Sequence, residues 1–154
     1  MKSSKLLKII RNELKDYPID YLRNKVTDDR YKDPLVKKLA KYNSQTYDEI
    51  YSVEIKDDFD VKDEVIKKMK ADINYYFDTY AGGDVETREF TKYISLYLAL
   101  IAKKPLHPYS DDKKDDVYKS DDSYYCKIRM KSIHDKRSLC RYCVCQNVGY
   151  MGLF

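Results

Sequence analysis

Leu6, Leu7, Ile10 and Leu14 recur at intervals of three and four residues behind Ser3 and Ser4, and Pro18 stops the run. That spacing places the four apolar side chains on one face of a helix, with either serine expected to cap its first turn. A short second helix is predicted over about 19–26. Asp33-Pro34 then reads as a helix start, because an Asp side chain accepts from free amides and proline at the first helical position loses no hydrogen bond. Behind it Leu35, Val36, Leu39, Tyr42, Tyr47 and Ile50 keep an approximate stripe. The clearest pattern runs from about 60 to 80. Val61, Val65, Ile66, Met69, Ile73, Tyr76, Phe77 and Tyr80 share one side of that helix, and Lys67, Lys68, Lys70 and Asp72 fall on the other. Ala81-Gly82-Gly83 ends it, since glycine accepts the left-handed conformation of a helix terminus. Asp84 is the expected cap of the next helix, about 85–103. Its Phe90, Tyr93, Ile94, Tyr97, Leu98 and Ile101 form the broadest apolar face, and this helix is expected at the centre of the core.

Helical periodicity disappears at Lys103-Lys104-Pro105, and all four cysteines and both histidines lie beyond that point. The segment 110–122, "SDDKKDDVYKSDD", reads as a solvated charged loop. It lacks the central Gly and the Glu at the twelfth position that a calcium loop requires. "SYYCKIR" then alternates like a short strand. The expected fold is therefore mainly α: a helical bundle over 1–104, with a Cys/His metal-binding lobe over 105–154 packed on it and containing a short strand or hairpin. The terminal "YMGLF" is apolar enough that Tyr150, Met151, Leu153 and Phe154 are expected to lie back on the helices.

Composition adds little to this picture and excludes some classes. At 154 residues the chain can bury a core without disulfides. Thirty Lys and Arg against 26 Asp and Glu, well mixed, describe a solvated surface, and the formal charge of +4 does not argue for nucleic acid. The N-terminal segment has no apolar run of signal-peptide length, and "ISLYLALIA" at 94–102 falls short of the ~20 residues of a membrane span. A cytoplasmic protein is expected, in which cysteines serve as thiols or metal ligands more often than as disulfides.

"CRYCVC", residues 140–145, holds three of the four thiols. Cys140 and Cys143 have the spacing of a tight turn in which two sulfurs converge on one ion, and Zn²⁺ needs four such ligands in a tetrahedron. Cys126 lies fourteen residues upstream on the expected strand, far enough for the chain to turn and return. His107, in "PLHP", is the best fourth ligand, because flanking prolines hold the backbone extended. The expected zinc site is His107, Cys126, Cys140 and Cys143. Cys145, two residues beyond Cys143, is expected to face roughly away from it. His134, among Lys131, Lys136 and Arg137, is expected to be a solvated side chain. The competing reading of the whole set is a group of simply buried thiols.

"LIAKKPLHP" at 100–108, "YYC" at 124–126 and "LCRYC" at 139–143 resemble a family of small uncharacterised archaeal proteins found mainly in methanogens. The resemblance covers the last third of the chain well, with a less specific helical region before it. It implies His107, Cys126, Cys140 and Cys143 as the recurrent polar set and an archaeal cytoplasm. It implies no reaction.

The leading functional expectation is an interaction or regulatory module: a helical body with a structural zinc that staples a polar lobe, where zinc supplies an apparent ~10–16 kcal/mol in small sites. An unidentified protein partner fits this best. Nucleic-acid binding is a second class, through the basic segment from Cys126 to Arg141, where Lys127, Arg129, Lys131, Lys136, Arg137 and Arg141 oppose Asp135 alone. A third is redox chemistry, through an iron–sulfur cluster or a dithiol. No paired carboxylates, phosphate-binding glycine loop or Ser/His/Asp set stands at a useful spacing, so an enzyme is the less favoured reading.

Overall fold

The computed structural model describes residues 1–148; the "YMGLF" expectation lies outside the described residues. Among these residues six α-helices precede or flank one small sheet: α1 Ser3–Leu14, α2 Ile19–Thr27, α3 Pro34–Ser52, α4 Asp63–Tyr76, α5 Val85–Leu96 and the short α6 Arg129–Ser132. The chain is mainly helical, with a three-stranded sheet near its C-terminus, as its periodicity indicates. α4 and α5 do not stop where their α-helical hydrogen bonding ends. Each widens into a π-helical turn, Phe77–Ala81 after α4 and Tyr97–Ala102 after α5. No helix of the described residues is long and apolar enough to cross a membrane.

α1, α3, α4 and α5 bury their stripes against one another. Leu6, Ile10, Ile50, Met69, Leu96 and Tyr97 are each at most 1% exposed, and full burial of an aliphatic side chain contributes ~1.5–3 kcal/mol. Asp33 and Asp84 cap as their sequence context suggests: Asp33 accepts the Leu35 N–H at 2.9 Å and Asp84 the Thr87 N–H at 2.6 Å. Gly82 takes φ 54 and ends the π turn after α4.

Three expectations need correction. Neither Ser3 nor Ser4 is the cap of α1; both lie inside its first turn, and the capping carboxylate is Asp58, which accepts the Ser4 N–H at 2.9 Å. A serine one position too late cannot reach the free amides ahead of it, so a distant loop supplies the acceptor. On α3, Leu35 is 72% exposed and Leu39 40%, so the first turns of its stripe do not join the core. The 110–122 segment is not all loop: Val117–Ser120 forms β1, which pairs antiparallel with β2, Ser123–Cys126, across the two-residue turn Asp121-Asp122. Asp121 takes φ 55 there, a conformation Asp tolerates better than most residues.

β3, Gln146–Asn147, pairs parallel to β2, giving the order β1-β2-β3. Asn147 stands opposite Cys126, so the central strand brings Cys126 beside the end of the "CRYCVC" segment. Pro105 is fully buried, and its carbonyl accepts the Tyr42 hydroxyl at 2.5 Å. Leu106 and Tyr142 pack against the helical core from the other side of the sequence change at 103–105.

Candidate functional site: a thiol-lined cavity

A cavity of about 480 Å³ lies between α4–α5 and the C-terminal segment, and all four cysteines and His107 line it. The chain gathers them from three places. Cys126 ends β2, and backbone N–H groups of Ile128 and Arg129 are directed at its sulfur where the strand gives way to α6. Burial pushes its thiol above the ordinary value, more than those amides bring it down. Cys140 opens a 3-10 turn over Cys140–Tyr142, which the Cys143 N–H closes on the Cys140 carbonyl at 3.1 Å. His107 sits in a bend ahead of Pro108 and is exposed on its other side.

Cys143 and Cys145 contradict the expectation that they face apart. The neighbouring Cys145 thiol, able to donate its proton toward the Cys143 sulfur, above all holds Cys143 below its ordinary value. The Cys145 and Leu106 N–H groups and the neighbouring His107 act in the same direction, against burial. The same proximity keeps the proton on Cys145 and pushes its value up. Extended backbone returns every second side chain to one face, so Val144 points out and both flanking thiols point in. The expectation that residues two apart face away from each other in a strand as well as in a helix is wrong for extended backbone, where they share a face. His134 is exposed and stands apart from the cavity lining, as its polar context suggests.

The turn is anchored by the two residues inside it. Arg141 donates to Asp72 Oδ2 at 2.6 Å, and the Tyr142 hydroxyl bonds the same oxygen. Burial of Asp72 opposes its ionisation, but the Tyr142 and Arg141 donors outweigh this and hold the carboxyl below its ordinary value. Arg129 donates to the Cys140 carbonyl at 3.1 Å and to Asn147 Oδ1 at 3.1 Å, bracing the turn against β3. Asp72, Arg129 and Cys145 are the cavity residues that spacing alone missed. An extended Cys-x-Cys would have revealed Cys145, whereas nothing local marks Asp72 as the partner of a segment some seventy residues on.

A family model described as "Uncharacterized protein conserved in archaea (DUF2115)" matches residues 2–148. The chain belongs to that family. It is 29% identical over 163 residues to a UPF0305 protein of the methanogen Methanocaldococcus jannaschii, covering 96% of this chain and 98% of that one. No solved structure matches. The archaeal resemblance read from the last third of the sequence is thereby borne out and extended over the helical region.

The DUF2115 description assigns no chemistry, so the donors themselves limit what this protein can do. All four cysteines carry free thiols. The soft donor set of thiols with an imidazole suits zinc or iron far better than calcium or magnesium. N–H groups directed at Cys126 and Cys143 stabilise the thiolate form that any such metal needs. Among the described residues, however, no three His, Cys, Asp or Glu side chains close on one point as ligands would. The donors line a common space without converging on one point. Three of the six cations of the 126–141 segment, Arg129, Arg137 and Arg141, are engaged within the protein, with the Cys140 carbonyl, Asp135 and Asp72.

Proposed function

We propose that this archaeal protein is an interaction module whose C-terminal segment is held in shape by one structural zinc ion on His107, Cys126, Cys140 and Cys143, acting in the cytoplasm with a protein partner. The observation that carries the reading is the shared cavity: residues from a bend, a strand end, a tight turn and the extended segment after it bring four thiols and an imidazole to one partly open space. Amides already directed at two of the sulfurs support it, because they lower the cost of holding thiolates away from water, though at Cys126 by less than burial adds. Four protein ligands would complete the tetrahedron and leave no position for water, which favours a structural over a catalytic ion.

One further observation keeps a second reading. Cys145 joins the other three thiols at the cavity, and four thiolates are what an iron–sulfur cluster takes. Elemental analysis of protein purified without oxygen separates the two. Zinc near one per chain with no visible absorbance supports the first reading, and iron with sulfide and visible absorbance supports the second. Protein with neither metal at near unit stoichiometry defeats both.

A further inference from the structure

The cavity is larger than a metal site requires, and its walls differ in chemistry. Ile73, Phe77, Phe90, Ile94 and Leu98, from α4, α5 and their π turns, form an apolar wall. The 128–139 segment contributes Arg129, Lys136 and Arg137 to the same lining, with the hydroxyl residues Ser132 and Ser138. Among the described residues the one acid lining it is Asp72, whose carboxylate is already engaged by Arg141 and Tyr142. The lining is therefore apolar on the helical side and cationic on the other.

Three features make this a binding site in its own right. A volume of about 480 Å³ falls within the ~300–1,000 Å³ of small-molecule pockets, which are mostly apolar with a few placed polar groups. One residue of each π turn, Phe77 and Leu98, reaches the lining, and π turns are frequent at functional sites. Lys136 makes no ion pair among the described residues, and Arg137 beside it, though paired with Asp135 outside the lining, adds a second cation, so a neutral apolar guest would leave this charge unused. A nucleotide would need polar groups for its sugar and base edges, and the helical side offers mainly apolar aliphatic and aromatic side chains.

We propose that the cavity binds an amphipathic anion, an apolar chain ending in a single carboxylate or phosphate, with the chain against the α4–α5 wall and the head at Lys136 and Arg137. The thiols form another part of the lining, so this inference does not rest on the metal reading. Elemental analysis tests that one and ligand titration tests this one, so either can fail alone.

Isothermal titration of the full chain, as purified without oxygen, uses dodecyl phosphate, dodecanoate, octyl phosphate, dodecyltrimethylammonium and inorganic phosphate, each below its micelle concentration. The expected result is one dodecyl phosphate or dodecanoate per chain, about tenfold or more tighter than octyl phosphate, with no binding of the cationic amphiphile or inorganic phosphate. Lys136→Gln combined with Arg137→Gln, at exposed positions, should weaken dodecyl phosphate about tenfold. Ser95 of α5 is buried and also lines the cavity, so Ser95→Leu should fill it and abolish binding while the circular dichroism spectrum is unchanged; if it misfolds, the surface double variant and the chain-length series still decide. Equal binding of cationic and anionic amphiphiles, binding of inorganic phosphate alone, indifference to the double variant, or no binding would each overturn the proposal. Co-sedimentation with phosphatidylglycerol vesicles without binding of free dodecyl phosphate would also overturn it, since it would mean a bilayer surface and not an enclosed ligand.

Discussion

Asp72 and Arg141 meet at 2.6 Å, and the Tyr142 hydroxyl shares the same carboxylate oxygen. Arg141 and Tyr142 are the two residues that separate Cys140 from Cys143, so one acid on α4 holds the whole Cys-x-x-Cys turn to the helical body. The thiols owe their position to this contact as much as to the turn itself.

Asp72→Ala should therefore loosen the turn while leaving the helices in place. Hydrogen bonds to a charged group contribute ~1.5–3 kcal/mol, and two are lost here. Hydrogen exchange is the measurement: amides of 138–145 should exchange faster, with those of α4 and α5 unaffected. Asp72→Asn keeps one acceptor oxygen and should fall between. Unchanged protection at 138–145 in Asp72→Ala would show that the sheet alone positions the turn.

The ligand assignment makes a second prediction. Cys126→Ser, Cys140→Ser, Cys143→Ser and His107→Ala should each release the metal, whereas Cys145→Ser should retain it, because Cys145 serves as a donor to Cys143 in the metal-free arrangement and is displaced when zinc takes the thiolate. Metal content of the purified variants decides it. Retention in His107→Ala together with loss in Cys145→Ser would move the fourth position to Cys145.

How much of this was legible in the sequence follows from the range of the interactions. Asp33, Asp84, Gly82 and the stripes of α1 and α5 were readable because caps and amphipathic faces act within a turn or two of the chain. Leu35 and Leu39 were misread because periodicity marks a face without saying that anything covers it. Asp58 at the start of α1, 54 residues from Ser4, and Asp72 under the Cys-x-x-Cys turn were invisible, since a polar residue on a surface face looks the same whether its partner is water or a distant segment. The cysteines and His107 were legible as a group by type and proximity. The orientation of Cys145 was misread, because residues two apart share a face in extended backbone and only a helix turns them apart.

Asp58 supports a prediction about acid. The Ser4 hydroxyl at 2.6 Å, then the Ser4 N–H and the Ser3 hydroxyl, hold its carboxyl below the ordinary 3.8. A depressed value means that the contribution is fully present above the ordinary value and is lost as pH falls through the lowered one. Thermal unfolding of the native chain and of Asp58→Asn should thus differ at neutral pH and converge in acid. Ser3→Ala, which strands the Phe59 N–H that its hydroxyl accepts at 3.1 Å, should destabilise by ~1–3 kcal/mol at either pH. A constant gap between native protein and Asp58→Asn down to low pH would remove the carboxylate's charge from the account of α1.

Metal removal gives the last prediction. The helical body has its own core, with Leu6, Ile10, Met69 and Leu96 shielded from water without any contribution from the thiols. The segment beyond Pro105 has short strands, a four-residue helix and exposed charges, so its order depends on the few ties that cross it: Tyr42 to the Pro105 carbonyl, Asp72 to the turn, and the proposed ion. Chelation under anaerobic conditions should leave the far-ultraviolet helical signal nearly intact while amides of 107–148 lose protection and proteases cut first within that range. Partial protection should survive at Arg141 and Tyr142, because Asp72 does not need the metal to hold them. Cooperative loss of all helices on chelation would mean instead that the cavity is part of the main core, with the ion contributing to the stability of α4 and α5 directly.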